Sequence, residues 1–193
     1  MKMNNGTRIL VDVIAEQKQK QAEATLWGGS NYEEIDGLKC DHSGCAGEKL
    51  THRLCNQLGI PNEYDENVVN QDDGTYDVIV KGRLVEVKTA RVGSDGDSWQ
   101  HESLRDHGCD YFWFNDILPN GYFITIIPSN FNFQQKHPIL GRTPHLRKET
   151  SGTYKFDFGR ITLKKGIDAG VTIFVDNNTD DKEIRDFINR IIV

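Results

Sequence analysis

The segment that most constrains this chain runs from Gly74 to Thr89 and reads GTYDVIVKGRLVEVKT. It contains two short runs rich in β-branched residues, 75–80 and 83–89, separated by Lys81 and Gly82. Glycine readily takes the positive φ that a tight turn requires. The pattern therefore predicts a β-hairpin with a two-residue loop.

The turn determines which side chains face one another across the hairpin. If Val80 pairs with Arg83, Asp77 lies directly opposite Glu86, and Lys88 shares their face because strand side chains alternate. Two opposed carboxylates destabilise a strand pair unless a cation lies between them. Hard divalent cations such as Mg²⁺ prefer carboxylate oxygens. The hairpin therefore predicts a metal site, although an exposed polar face with Lys88 as an ion-pair partner is the structural alternative.

The spacing Asp-x8-Glu-x-Lys, after a helix that carries an acidic residue, resembles the PD-(D/E)XK motif of restriction-endonuclease-like nucleases. The resemblance spans roughly residues 44–128, about the length of a complete catalytic core within one domain. Tyr76 stands where the signature proline of the motif would be. The residues that match the motif are Asp77, Glu86 and Lys88, with Glu48 in the preceding predicted helix.

This resemblance implies both a fold and a chemistry. The fold is α/β, with a restriction-endonuclease-like core in which helices flank a mixed central β-sheet. Asp77 and Glu86 would hold Mg²⁺, assisted by the backbone carbonyl of Val87. Lys88 would orient the attacking water and stabilise the charge on the scissile phosphate. Glu48 would act beside the metal or order a water, although an acid in a first helical turn is also favoured by the helix dipole.

Length and composition place the chain among ordinary globular proteins. Its 193 residues suit a single α/β domain, 1–193, with a core of normal size. No apolar run is long enough to cross a membrane. No signal peptide is recognisable, because Asp12 interrupts the short apolar run that begins at Ile9. We therefore expect a cytoplasmic protein.

The charge is distributed unevenly along the chain. The net charge is −6, yet residues 134–165 carry eight Lys and Arg against two Asp and Glu, a local charge of +6. A local basic surface is the usual electrostatic signature of a nucleic-acid partner. We call residues 134–165 the basic segment and predict that it recognises DNA. The candidate DNA-binding residues are Arg142, His145, Arg147 and Lys148.

Hydrophobic periodicity predicts the remaining elements. The predicted helices cover residues 7–26, 45–58, 99–107 and 179–192. Thr7 is the predicted cap of the first helix, and Asp180 and Glu183 form a predicted capping box in the last. The second helix has one apolar face, formed by Ala46, Leu50, Leu54 and Leu58. The predicted strands outside the hairpin cover 66–71, 109–116, 121–127, 153–158 and 170–176. The strands predicted at 153–158 and 170–176 would make the C-terminal part of the chain, with the basic segment, a β-rich extension of the core.

The cysteines offer a different interpretation. Cys40 and Cys45 bracket a short polar run, and Cys55 could supply a third zinc ligand. Structural zinc sites usually carry two closely spaced ligand pairs, and the second pair is missing here. Cys55 and Cys109 are more simply explained as small buried residues.

These observations together predict a Mg²⁺-dependent endonuclease that hydrolyses phosphodiester bonds of double-stranded DNA, and specifically a sequence-specific type II restriction enzyme. A junction-resolving or repair nuclease would use the same core. The remaining alternatives are a non-catalytic nucleic-acid-binding module and a zinc-stabilised interaction protein. Cutting both strands with one site per chain predicts a homodimer. The apolar faces of the first and last helices are the candidate dimer interfaces.

Overall fold

The computed structural model describes residues 5–23, 26–64, 76–105, 108–147 and 152–193. Its helices are α1 (Asn5–Glu23), α2 (Cys40–Gln57), α3 (Arg160–Asp168) and α4 (Asp181–Ile191), with a short 3₁₀ helix at Glu33–Gly37. Its strands are β1 (Asn62–Glu63), β2 (Val78–Val80), β3 (Arg83–Arg91), β4 (Ser98–Trp99), β5 (Tyr111–Leu118), β6 (Gly121–Pro128), β7 (His145–Leu146), β8 (Tyr154–Lys155), β9 (Phe158–Gly159) and β10 (Thr172–Val175).

The centre of the fold is a six-stranded sheet in the order β1-β2-β3-β5-β6-β10. Its neighbouring strands are antiparallel except β3 and β5, which run parallel. A parallel pair requires a crossover connection, which residues 92–110 provide. Buried residues of α2 and α4 pack on one face of the sheet, and Leu163 of α3 packs on the other. The prediction of an α/β fold with a mixed, helix-flanked sheet is therefore confirmed.

The hairpin forms in the predicted register. Val80 pairs with Arg83, and both turn residues have positive φ, 54° at Lys81 and 76° at Gly82. Such a turn matches the right-handed twist of the two strands it joins. The register places Asp77, the residue immediately before β2, beside Glu86 of β3.

Helix α2 begins at Cys40, five residues earlier than predicted, and it buries a different face. Ala46 is exposed, and Leu50 and Leu54 are only half-buried. The cause is a close backbone approach, because a Cβ on Gly47 would lie 1.6 Å from the hydroxyl oxygen of Thr89 in β3. The helix residues that are buried are Gly47, Thr51 and Cys55, followed by Leu58 just beyond its end.

The opposite face of the sheet carries an aromatic cluster. Phe112 and Phe114 of β5 lie on it, and residues of the basic segment and of the preceding loop cover them. The ring centroids of Phe114 and Phe158 are 4.7 Å apart, and those of Phe112 and Phe133 are 5.8 Å apart. Burial of these rings fixes the basic segment on this face of the sheet.

The predicted helix at 99–107 is wrong. Instead, β4 pairs with β9, and Leu104 exchanges backbone hydrogen bonds with Tyr154 in both directions. Trp99 and Leu104 are fully buried in the aromatic cluster. Long-range pairing with the basic segment therefore outweighs the local helix propensity of this stretch.

The strands of the basic segment are shorter than the single strand predicted at 153–158. Among the described residues, its β-structure is limited to β7, β8 and β9, two residues each, and α3 follows directly. Gly166 allows α3 to pack closely on β10, since a Cβ there would lie 2.1 Å from the hydroxyl oxygen of Thr172. The strand predicted at 170–176 consequently joins the central sheet beside β6 and is not part of an extension.

The two terminal helices differ from each other. In α4, Asp180 caps the first turn as predicted, with Oδ1 accepting the Lys182 N–H at 2.8 Å. Helix α1 starts at Asn5, so Thr7 lies inside it and is not its cap. The strand predicted at 66–71 lies outside the described residues. Over the described chain, none of the helices combines the length and the apolar character needed to cross a membrane.

Candidate active site at the β2–β3 hairpin

Asp77 lies where β2 and β3 begin to separate. Its backbone N–H donates to the Val85 carbonyl at 3.0 Å. The next N–H of β3 that faces β2, on Val87, donates to the Asp77 side chain, with a distance of 2.7 Å to Oδ2. The carboxylate therefore replaces a backbone acceptor and is held rigidly against β3.

Glu86 and Lys88 lie two residues apart on the same face of β3. The Lys88 ammonium donates to Oε1 of Glu86 in a direct ion pair. In the parallel register with β5, Glu86 lies beside Phe112 and Lys88 beside Phe114. The aromatic cluster therefore forms the apolar wall of the site, and it leaves Glu86 only 7% exposed.

Burial changes the proton affinity of both carboxylates. It raises the pKa of Glu86 to about 7, against the attraction of Lys88, and the charge of Asp77 raises it further. Burial also raises the pKa of Asp77, although Lys88 and the hydrogen bonds from Val87 and Glu86 lower it. The pKa of Glu86 stays raised although the charges of Lys88 and Arg105 lower it, so the site favours an additional positive charge or a proton.

Helix α2 brings a third carboxylate to this cluster. Glu48 follows Gly47, the residue at which the helix touches β3, and the Tyr64 hydroxyl donates to its Oε2 at 3.2 Å. Burial raises the pKa of Glu48, and the charge of Asp77 raises it further while that of Lys88 lowers it. The close approach of α2 thus places Glu48 within electrostatic reach of both hairpin residues. The four residues predicted from sequence are brought together in the structure.

The donor set suits a small, hard cation. Within the described ranges, no three His, Cys, Asp or Glu side chains gather tightly enough to enclose a metal. Asp77 and Glu86 nevertheless offer two adjacent carboxylates, and Mg²⁺ is commonly held by one or two carboxylates while it retains several waters. The structure assigns a contact to the N–H of Val87; the predicted role of its carbonyl stays a prediction.

Cys45 and Cys55 cannot both be ligands of the alternative zinc site. Cys45 and Cys55 both lie on α2, ten residues apart, which is about 15 Å along a helix axis. Cys45 is exposed, whereas Cys55 is buried beneath the helix. Two residues so placed cannot share one metal ion. The side chain of Cys40 lies outside the described part of the structure.

Two residues of the site had no signal in the sequence. Arg105 lies close enough to Glu86 for its charge to lower the pKa of that carboxyl, and Cys109 lies against Glu86 as well. Burial raises the pKa of the Cys109 thiol to about 12, so the thiol stays neutral. Both residues reach the site through the crossover between β3 and β5, which no local pattern identifies.

Three of the four candidate DNA-binding residues lie in the described part of the basic segment. Arg142 is exposed, and its Nε donates to the Asp157 carbonyl at 3.3 Å. His145 is exposed on β7 opposite Lys155. Arg147 is exposed and forms a 2.8 Å ion pair with Glu102. Lys148 lies outside the described residues.

Searches with this chain against family models, curated proteins and solved structures gave no match. The interpretation of the site therefore rests on the residues of this chain alone.

Proposed function

We propose that this protein is a Mg²⁺-dependent DNA endonuclease with a PD-(D/E)XK active site and a restriction-endonuclease-like core. The observation that carries the proposal is the convergence of Asp77, Glu86 and Lys88 on one end of a hairpin, with Glu48 supplied by the packed helix α2. Structural polar clusters rarely bury two facing carboxylates, because desolvation of the charges is costly. Such a cluster is typical of a functional site.

In this proposal, Asp77 and Glu86 hold the metal ion through carboxylate oxygens. A Mg²⁺ ion held there would supply positive charge to a phosphate oxygen and lower the pKa of water. The hydrogen bond from Val87 orients Asp77 toward the site before any ligand binds. The apolar wall formed by Phe112 and Phe114 keeps bulk water away and strengthens each electrostatic contact.

Lys88 has a second role once the charge of Glu86 is shared with a cation. Its ammonium, which pairs with Glu86, becomes available to donate to the attacking water or to an oxygen of the scissile phosphate. Lys88 thereby orients the nucleophile and stabilises charge that develops during the reaction. Glu48 is placed to accept a proton from an ordered water, since burial already raises its pKa.

The basic segment is the proposed DNA-binding surface. Its residues pack on the sheet face that carries Glu86 and Lys88, and Arg142, His145 and Arg147 project from it as exposed groups. Phosphate contacts from such residues give affinity, and arginine contacts with guanine give sequence preference. Sequence-specific cleavage of the restriction type is the finer part of the proposal.

The proposed assembly is a homodimer formed through α1. The apolar stripe of α4, which includes Ile184, Phe187 and Ile188, is buried in its own core and is not free for a partner. The apolar side chains of α1 are instead 45–63% exposed: Ile9, Leu10, Val11, Val13 and Ile14. A second copy that covers this face would pair two active sites for the two strands of a duplex.

Incubation with plasmid DNA tests this function directly. We expect Mg²⁺-dependent conversion of supercoiled plasmid to linear product, and sequencing of the ends should show one recurring site. Cleavage that occurs only on branched or damaged DNA would identify a junction-resolving or repair nuclease. Plasmid that stays intact, together with unchanged branched substrates, would contradict the nuclease proposal.

A further inference from the structure

A buried histidine and a buried aspartate form a pair outside the proposed catalytic cluster. His101 belongs to the crossover between β3 and β5, and Asp116 belongs to β5. The His101 Nε2 and Asp116 Oδ1 atoms are 2.8 Å apart, and both side chains are fully buried. Over the described residues, neither side chain has a further hydrogen-bond partner. Buried polar groups are rarely left so incompletely paired, which indicates a specific role for the contact.

The surroundings of the pair are apolar. The His101 ring lies between two phenylalanine rings, with its centroid 4.8 Å from that of Phe114 and 4.9 Å from that of Phe158. Separation of the pair would leave a buried carboxylate without its partner, which is energetically costly. The contact therefore fastens the crossover to β5 at His101. The backbone carbonyl of His101 also accepts the Phe156 N–H at 2.8 Å.

The backbone that follows His101 is held at a second point. Ser103 has a φ of 61°, a left-handed conformation that is uncommon for a residue other than glycine. Such conformations persist where the surrounding structure determines them. The next residue, Leu104, is fully buried and exchanges two backbone hydrogen bonds with Tyr154. The path of the chain into Arg105 is therefore fixed from both sides.

Arg105 lies where this path reaches the hairpin site. The register of β5 places Asp116 beside Ala90, on the sheet face that carries Glu86 and Lys88. Arg105 is half-buried, and its charge lowers the pKa of Glu86. A guanidinium group matches the oxygens of a phosphate in a bidentate geometry that an ammonium group cannot provide.

We propose that Arg105 is a further catalytic residue, which binds the scissile phosphate at the hairpin site, and that the buried His101–Asp116 pair positions it. The inference rests on the proposed nuclease function for the reaction. The guanidinium of Arg105 would stabilise negative charge as it develops on the phosphate oxygens. His101 and Asp116 are too deeply buried to touch a substrate, so they act through the backbone of residues 101–105.

The single-turnover rate of duplex cleavage in Mg²⁺ tests the role of Arg105. Arg105→Ala should lower this rate by about 100-fold, the usual effect of losing one donor that stabilises developing charge. Arg185→Ala is the matched control, because Arg185 is exposed on α4, whose buried residues pack on the other face of the sheet. Equal rates for the two variants would overturn the inference.

A mutant cycle tests the positioning role of the pair. His101→Phe keeps a ring in the aromatic cluster but loses the contact with Asp116, so cleavage should slow by about 10- to 100-fold, as misplacement of a catalytic group does. His101→Gln, which offers an amide near the position of Nε2, should recover most of the rate. The double variant with Arg105→Ala should cleave no more slowly than Arg105→Ala alone, because the pair acts through the arginine.

Losses that multiply in the double variant would overturn the positioning role. If urea unfolding shows that His101→Phe does not fold, Asp116→Asn takes its place in the cycle with the same expectations, since it keeps the size of the side chain and removes its charge.

Duplex binding in Ca²⁺ separates failure of this inference from failure of the nuclease proposal, because it requires no cleavage. Arg105→Ala should make the slope of log K against log salt less steep by about 0.9, whereas Arg185→Ala should keep the wild-type slope. This change in a protein that never cleaves in Mg²⁺ would contradict the nuclease proposal but support the phosphate contact of Arg105. An unchanged slope in Arg105→Ala, or a wild type that binds no duplex, would overturn the inference.

Discussion

Lys88 is the residue at which structural and catalytic interpretations of the hairpin differ most. It pairs with Glu86 in the structure, so it could serve only to balance a buried carboxylate. In the catalytic interpretation, Glu86 would share its charge with a metal ion, and the Lys88 ammonium would then donate to water or to the phosphate. These two interpretations lead to opposite expectations for its removal.

We expect Lys88→Ala to bind Mg²⁺ no more weakly than the wild type, because the ammonium competes with the metal for Glu86. Cleavage should fall by at least about 100-fold, the usual effect of losing one donor that stabilises developing charge. Calorimetric titration of Mg²⁺ and cleavage rates measure the two effects separately. Lys81→Ala is a suitable control, since Lys81 contacts the Ile192 carbonyl at the other end of the hairpin. Undiminished cleavage by Lys88→Ala would reduce this lysine to a structural ion pair.

The register of the hairpin could be predicted from the sequence because its signal is local. A two-residue turn and a two-residue strand period place Asp77 opposite Glu86 without any knowledge of the remaining chain. Arg105 and Cys109 could not be predicted, because a crossover of irregular structure carries them to Glu86. Long-range backbone pairing decides the path of that crossover.

At the scale of elements, the contact between α2 and β3 positions Glu48. The sequence predicted helix α2 correctly but assigned it the wrong buried face. Its contact with β3 is made at Gly47, and hydrophobic periodicity considers only apolar side chains. Helix α3 was missed for a related reason. Its sequence is mostly polar, and its packing against β10 depends on Gly166.

Gly47→Ala should destabilise the protein by about 1–3 kcal/mol, the range typical of overpacking a core. The added methyl would clash with Thr89 and displace α2, so cleavage should also decrease through Glu48. Gly44→Ala, on the same helix, has no atom within 4 Å of the added Cβ and should stabilise by about 0.5–1 kcal/mol. Urea unfolding of the two variants provides the comparison, and equal effects would show that the close contact does not exist.

The turn at 137–141 makes the basic segment sensitive to acid. The neutral His137 ring accepts the Leu140 N–H at 3.1 Å through Nδ1. Burial lowers the pKa of His137 to about 4 from its ordinary value of 6.5. The folded state therefore prefers the neutral ring, and this stabilisation is complete above pH 6.5 and is lost as the pH falls through 4.

We expect His137 to account for a loss of up to about 3 kcal/mol in the free energy of unfolding between pH 7 and pH 4. His137→Asn keeps an acceptor but does not titrate, so its stability should fall less over this interval. His145→Asn, which replaces an exposed histidine, should follow the wild type. Urea unfolding at each pH measures all three proteins. Parallel curves for the wild type and His137→Asn would show that the turn does not respond to protonation.

At the scale of the whole molecule, α1 is the element whose apolar residues are not buried. Its 19 residues span about 28 Å. An exposed apolar face of this kind is typical of an interaction surface. The sequence identified both terminal helices as candidates for the dimer interface, and the structure removes α4 because its stripe is buried.

Leu10→Glu should convert a dimer into a monomer at micromolar concentration, because it places a charge in the centre of the α1 face. Ala15→Glu introduces the same charge at an exposed position away from Leu10 and should leave the dimer intact. Sedimentation equilibrium gives the masses. The monomeric variant should nick plasmid more readily than it linearises it. A wild-type protein that sediments as a monomer would contradict an α1 dimer.

The central claim is that the carboxylates of the hairpin hold a catalytic metal ion, and the single-turnover rate of duplex cleavage in Mg²⁺ tests it most directly. Asp77→Asn keeps an oxygen that can accept the Val87 N–H but removes the charge of the side chain. Asp110→Asn is the matched control, because Asp110 likewise accepts a backbone N–H of β3, that of Leu84. We expect Asp77→Asn to lose at least about 100-fold in rate, as loss of several kcal/mol of metal-derived stabilisation requires, and Asp110→Asn to cleave like the wild type. Equal rates for the two variants would contradict the claim.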